Sequence, residues 1–349
     1  MNPRYRFHRQ AGVGLVEIMV AVTLSLILTA GLVQVYTGNK QTYRIQESLS
    51  RVQENGRFAL DFITRDLRSA GFLGCAGTST KTINTLNNAS TFNWKFDQII
   101  EGFEATSSSG WDRDPRDTAT AGIVSPYLPA RDVLTIRRSL GNPVQVGAQG
   151  ATNPGRVCPI TVARPHGLQP ADVVMVTDCT DAAIFNITGI TPIGANDNVV
   201  HAVGGGAPGN AIPALGKDYT TAGAIVGLMT STYYVGTGVS GQPALFRQDG
   251  AAAAQELVEG VEDMQILYGI DTNGDRTPNR YVTADIVNAG GDWGDVVSAE
   301  VRLLLQTLDN NLASQANQQY TFNGQTFVSP DRRLRRTFTN TISIRNRTL

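Results

Sequence analysis

The sequence predicts an α+β protein in which one very long N-terminal helix carries a large β-rich head. Three observations predict it. From Val13 to Tyr36 the chain reads VGLVEIMVAVTLSLILTAGLVQVY, roughly the twenty apolar residues that a bilayer core requires. Beyond that run, apolar or small residues recur in steps of three and four as far as Ala70. The rest is glycine-rich, in a chain with 36 glycines and only 17% charged residues, and short β-branched runs alternate there with polar turns.

Residues 1–12 form a polar, basic leader with Arg4, Arg6 and Arg9 and no acid. Arginines before the span and few just after it predict a cytoplasmic N-terminus, so the body lies across the membrane. A secretory signal would end in a small-residue cleavage site, and Thr29-Ala30-Gly31 matches one poorly. The helical pattern instead runs straight on, which predicts a retained single-pass anchor. Glu17 stands inside the apolar stretch, where a carboxylate costs on the order of 2–3 kcal/mol and so needs a partner or a use. Cleavage after Gly12 would supply one. Val13 would gain a free amine and Glu17 would become the fifth residue of the new chain, able to pair with that amine or with a neighbour's.

The helix continues with Ile45, Leu49, Val52, Gly56, Ala59, Ile63, Leu67 and Ala70 on one stripe. Arg44, Glu47, Arg51, Glu54, Arg57, Asp61, Arg65 and Arg68 take the opposite face. Glu47–Arg51 and Asp61–Arg65 are acid-then-base pairs at i,i+4, and Gly71 is a stop signal. One helix over 13–70 would be about 87 Å long at 1.5 Å per residue. Its first half, 13–36, is apolar all round, and its second half is amphipathic. The expected division is leader 1–12, helix 13–70 and head 71–349.

Strands are expected at Asp132–Arg137, Ile160–Ala163, Val173–Thr177, Ala183–Ile187, Thr232–Val235, Ala244–Arg247, Met264–Ile270, Val296–Leu305 and Thr337–Ile344. Residues 76–92 and 104–122 read as polar loops, the second holding Trp111. Residues 186–224, rich in Gly, Ala, Asn and Pro, read as a long mobile surface excursion. The stretch LVEGVEDMQILYGID from Leu257 reads as a strand with Val261, Met264, Ile266 and Tyr268 in the core.

The cysteines are Cys75, Cys158 and Cys179, with no C-x-x-C spacing. In a hairpin centred on Pro165–Asp172, positions 158 and 179 fall opposite each other. A Cys158–Cys179 disulfide is therefore expected in an oxidising periplasm, with Cys75–Cys179 as the alternative. Asp271, Asn273, Asp275 and Asn279 place oxygens at positions one, three, five and nine of a calcium loop. Arg276 and Val282 stand where that loop needs glycine and a bidentate glutamate. Two readings remain for it, weak calcium binding and an Asx-rich hairpin turn; no other cofactor is expected.

Gly236-Thr-Gly-Val-Ser-Gly241 matches G-x-G-x-x-G, but a strand follows it where a nucleotide site needs a helix, so it reads as a hairpin. The basic end, with Arg332, Arg333, Arg335, Arg336, Arg345 and Arg347, reads as charges flanking a terminal strand. Contact with nucleic acid is the open alternative, with too few aromatics for a stacking platform. Enzyme chemistry is not expected. No Ser-His-Asp order with motif context, H-E-x-x-H or usable Cys–His pair occurs.

The stretch from Gln10 to Val20, QAGVGLVEIMV, resembles the cleavage signal of type IV prepilins and pseudopilins. Val13 and Gly14 depart from the usual phenylalanine and polar residue. The resemblance implies cleavage between Gly12 and Val13 by a prepilin peptidase, N-methylation of Val13, and an assembly role for Glu17. The run Gln53–Leu60, QENGRFAL, followed by Gly71-Phe-Leu-Gly-Cys75, is similar to PilW-type minor pilins, as are 257–271 and the arginine-rich end. That implies a type IV pilin-like lollipop anchored in the bacterial inner membrane and later part of the pilus, near its tip. It implies pilus priming and twitching motility, with DNA uptake or adhesion as further roles. The implied partners are the major pilin, other minor pilins, the inner-membrane assembly platform and a tip adhesin. Two alternatives stay open: a type II secretion pseudopilin, and a membrane-anchored periplasmic enzyme or binding protein whose leader imitates a prepilin's.

Overall fold

The computed structural model describes residues 12, 14–72, 81–106, 110–117, 122–124, 126–149, 158–204, 206–219, 222–291, 293–313 and 315–348. A single helix, α1 (Leu15–Ser69), occupies the N-terminal part. Its 55 residues span about 82 Å. Ala70 leaves the helical conformation and Gly71 turns at φ +63°, its N–H bonding to the carbonyl of Arg137. The stop signal at Gly71 therefore also ties the helix end to the head.

The head begins with β1 (Lys81–Asn84), β2 (Ile100–Phe103), the long β3 (Val133–Gln149), β4 (Ile160–Ala163), β5 (Val173–Thr177) and β6 (Asp181–Asn186). There follow β7 (Gly189–Ile193), β8 (Asn196–Val200), β9 (Ala224–Thr237), β10 (Pro243–Asp249) and β11 (Gln255–Glu259). These eleven strands make one sheet, with the path β1-β6-β5-β9-β3-β4-β8-β7; β10 pairs with β9 and β11, and β2 pairs with β3. A second sheet, β13-β12-β14-β17, is built from β12 (Val261–Ile270), β13 (Arg280–Val282), β14 (Val296–Gln306) and β17 (Arg335–Ser343). A short helix, α2 (Ala284–Gly290), follows β13, and the hairpin β15 (Gln319–Phe322) with β16 (Gln325–Val328) precedes β17.

The expected strands all form, and Val261, Met264, Ile266 and Tyr268 are core residues. The single strand expected through Gly260 is two strands. Gly260 adopts φ +86°, and on either side of it β11 joins the large sheet while β12 joins the small one. A left-handed residue turns the chain there, and only glycine takes that conformation without strain.

The excursion expected over 186–224 is also corrected. It contains β7 and β8, which extend the large sheet beyond β4, and it buries Leu215 and Tyr219. Asn210, fully buried, fastens it. Its side chain accepts from the Asn186 N–H at 2.7 Å and donates to the carbonyls of Asn186 at 2.8 Å and Ala202 at 3.1 Å. A carboxamide here does the pairing that a further strand would do. Within the expected loop 76–92, β1 forms and runs parallel to β6.

Four buried clusters form among the described residues, and the two largest bear on how the stem meets the head. One joins Val52, Ala59, Ile63, Leu67 and Ala70 of α1 to the small sheet and to Leu134, Ile136, Tyr233 and Val235 of the large one. The other, made of Val146, Ile160, Val162, Val174, Val176, Phe185, Val199, Leu215 and Tyr219, draws its buried residues from within 146–225, with Ile83 and Val144 packed against it.

Candidate functional site

The stem of α1 is the first part of the site. From Leu15 to Tyr36 every side chain is exposed, and the helix is long and apolar enough to cross a membrane. Its hydroxyls are satisfied internally. Thr23, Ser25 and Thr29 donate to the carbonyls of Met19, Ala21 and Ser25, four residues back, at 2.7–2.8 Å. This is the arrangement that apolar surroundings demand of a polar side chain. Glu17 is the only charged residue between Gly12 and Gly38. It sits in the first helical turn, on a face shared with Ile18, Ala21, Val22, Ser25, Leu26 and Thr29. Gly12 is exposed two residues before the N-cap, Gly14, and Val13 lies outside the described residues.

The second part is the grip of the head on the upper helix. Val52, Gly56, Ala59, Ile63 and Leu67 of the expected stripe are buried, whereas Ile45 and Leu49 are half-buried. Gly56 is where the helix meets β17: a Cβ there would lie 2.6 Å from the ring of Phe338. The glycine of the QENGRFAL run is thus a contact glycine, and Asn55 beside it donates to the carbonyl of Glu259 at 3.0 Å. Further along, Asn340 bonds to Thr64 at 3.0 Å and Asn346 to the carbonyl of Ala70 at 2.7 Å. Gln41 reaches the carbonyl of Asn311 at 3.3 Å, so the head extends down to just above the span. The expected surface pairs form, Glu47–Arg51 at 2.8 Å and Asp61–Arg65 at 3.1 Å.

Sequence reasoning missed the strongest polar contact of this grip. Asp66 is buried on the apolar face, where it accepts from the Tyr233 hydroxyl at 2.6 Å and pairs with Arg138 at 2.9 Å. Burial, and then the Asp66 charge, push the Tyr233 phenol well above its ordinary range. Arg138 also bonds to Ser231, whose hydroxyl meets Asp249 at 2.6 Å. A signal was present. Asp66 falls between Ile63 and Leu67 on the stripe, where a charge needs a buried partner.

The disulfide expectation is corrected. Cys179 is disulfide-bonded, whereas Cys158 remains a buried thiol, so the Cys158–Cys179 bond is not formed. The reason is topological: β4 and β5 are not a hairpin. β5 pairs with β6 and β9, β4 pairs with β3 and β8, and two strands separate them. Cys75, of the alternative Cys75–Cys179, lies outside the described residues.

The 271–279 loop joins β12 to β13, which pair from Ile270 with Arg280. The Asp271 carboxylate accepts the backbone N–H groups of Asn273 at 3.1 Å, Gly274 at 2.7 Å and Arg276 at 2.7 Å. Against desolvation, those three donors hold its carboxyl below the usual range. Asn279 accepts from Thr272, and Asn273 donates to Asp275 at 3.0 Å. Gly236–Gly241 closes the β9–β10 hairpin.

Four of the six terminal arginines turn inward, whereas Arg336 and Arg345 are exposed. Arg335 is clamped by Glu262 at 2.6 Å and Asp331 at 2.8 Å, with Tyr320 beneath its guanidinium. Arg333 and Arg332 donate to the carbonyls of Thr307 at 2.7 Å and Ala313 at 2.8 Å. Arg347 donates to those of Trp293 and Val296, and burial lowers its pKa to about 10.

Residues 232–346, from within β9 through β17, match the family model described as type IV pilus-assembly protein W. Residues 7–33 match the prokaryotic N-terminal methylation motif. No curated protein and no solved structure matches the chain. The methylation motif covers the end of the basic leader and most of the apolar stem, and the W region contains the sheet that grips α1. A W-family region behind an N-terminal methylation motif is consistent with a PilW-type, prepilin-like protein of the type IV pilus system.

Proposed function

We propose that the protein is a minor pilin that primes type IV pilus assembly from the bacterial inner membrane and then lies near the pilus tip, supporting twitching motility. The observation that carries this reading is a fully exposed apolar stem, bearing one carboxylate, rigidly attached to a large head. A prepilin peptidase cuts between Gly12 and Val13, and Val13 is methylated at its new amine. Glu17 then pairs with the amine of a neighbouring subunit and sets axial register, since an unpaired carboxylate in that apolar setting is costly. The head selects its partners: other minor pilins, the major pilin and the inner-membrane platform during assembly, and an adhesin at the tip. Function comes from packing, not turnover.

Mass spectrometry of the mature N-terminus tests the class. An N-methylated Val13 start is expected, and an intact Met1 would overturn the reading. Glu17→Ala should abolish piliation and twitching while leaving the amount of folded protein unchanged. Deleting the gene should stop twitching and spare exolipase secretion; the reverse pattern would mean a type II secretion pseudopilin. The 271–279 loop is a structural turn in this reading, its lead carboxylate spent on backbone donors. Calorimetric titration with calcium should therefore release no heat at millimolar levels, and a saturable isotherm would establish the calcium reading.

A further inference from the structure

Four carboxylates and one unmatched hydroxyl meet where the two sheets join. Glu101 and Glu104 come from β2 and its end, Asp112 from the next loop and Asp132 from the approach to β3, while Tyr268 reaches across from β12. Tyr268 is 1% exposed, and among the described residues its hydroxyl has no hydrogen-bond partner. It points into the group. A Cβ on Gly102 would lie 2.1 Å from its oxygen, and Asp132, Glu104, Asp112 and Glu101 all act on it electrostatically.

The cations nearby are used elsewhere. Glu101 holds both Arg113 at 2.7 Å and Arg137 at 3.1 Å, and Arg113 reaches Asp112 only at 4.0 Å. Arg131, which acts on Asp263 of β12, spends its donors on the carbonyls of Glu262 and Pro129. Glu262 is held by Arg335. Glu104 is left with the Ala284 N–H at 3.3 Å, and Asp285 of α2 adds a further negative charge. Asp112 accepts from the Glu104 N–H at 2.8 Å and from Asn288. Asp132 accepts the N–H groups of Ala105 at 3.0 Å and Ile266 at 2.8 Å. No group of metal-ligating side chains forms among the described residues.

We infer that the buried cluster formed by the Glu104 and Asp132 carboxyls, to which no cation is paired among the described residues, binds one proton near neutral pH, and that this proton fastens the seam between the sheets. It removes one of two like charges from a buried site and makes a carboxyl a donor. Desolvation, acting first, raises the Glu104 pKa to about 7 and that of Asp132 well above its ordinary value. A carboxyl whose folded pKa is raised binds more protons folded than unfolded. The seam is therefore firmest below the ordinary carboxylate range, and that stability is lost as pH rises through about 7. Asp263, raised to about 6 by burial, adds to the same slope. α2 and β12 belong to the W region and β2 and β3 do not, so the proton couples the family region to the rest of the head.

The test uses the full chain in detergent micelles between about pH 5 and pH 9. Infrared difference spectra should show a protonated-carboxyl band that disappears near pH 7 and is missing in Glu104→Gln. Hydrogen exchange at the Ala284 and Ile266 amides, corrected for intrinsic rate, should lose up to about a hundredfold protection across that range. Glu104→Gln should flatten the loss. A wild-type protein without a titrating carboxyl band, or a Glu104→Gln variant with the wild-type exchange profile, would overturn the inference.

Discussion

The two largest interiors of the head differ in what holds them and in how they connect to the stem. The interior under α1 joins segments from both ends of the chain, Val52–Ala70 with β14 and β17, and adds the buried Asp66–Arg138–Tyr233 clasp. The interior around Phe185 is more local, closed by strands between 146 and 225 and by the Asn210 carboxamide. One interior fixes the stem to the head, and the other shapes a lobe that no α1 residue enters. The matched W region coincides with much of the first and includes almost none of the second. The sheet that grips the stem thus lies in the W region, and the lobe lies outside it.

The severest way to break the first interior is Asp66→Ala. It leaves Arg138 and Tyr233 buried without their acceptor and should cost about 3–5 kcal/mol, measured by denaturant unfolding of the full chain in detergent. A loss below about 1 kcal/mol would mean that the clasp is incidental.

The comparison is sharpened by Ile63→Ala against Phe185→Ala, each costing about 3 kcal/mol from lost burial and a residual cavity. Hydrogen exchange should separate them. Ile63→Ala exposes amides of α1 and β17, whereas Phe185→Ala exposes those of β4, β5 and β8 and spares the helix. Equal loosening of α1 by both would make the two interiors one cooperative unit.

A smaller effect is expected from Gly56→Ala. The added methyl meets the Phe338 ring at 2.6 Å, and overpacking of about 1–3 kcal/mol is partly offset by better helix propensity. Smallest is Glu47→Ala, which removes an exposed pair and should shift unfolding by only a few tenths of a kcal/mol.

The helix was the most legible part of the molecule because its signal is local. A 3.6-residue period, two i,i+4 ion pairs and a glycine stop all lie on the element they describe. Strand positions were legible for the same reason, and Ile160–Ala163 and Val173–Thr177 appear with the bounds expected. Strand pairing was not. Placing β4 and β5 in one hairpin put Cys158 opposite Cys179, because adjacency in sequence stood in for adjacency in the sheet. The 186–224 region misled in another way. Its Gly and Pro content signals turns, but Asn210 ties it internally to Asn186 and Ala202, and Leu215 and Tyr219 are buried among strands from outside it.

The sequence by itself determined the stem: a basic leader, an apolar span with a single carboxylate at Glu17, and an amphipathic continuation to Ala70. Each is a property of neighbours within a few residues, which composition and periodicity report directly. Only the tertiary structure decided that Asp66 belongs to a buried clasp, that Gly56 is a contact with Phe338, that Gly260 divides two sheets, and that carboxylates from β2 to Asp132 gather around Tyr268. Those are relations between residues tens to hundreds of positions apart. Their energies arise from burial and desolvation, which exist only once the sheets have closed over the helix.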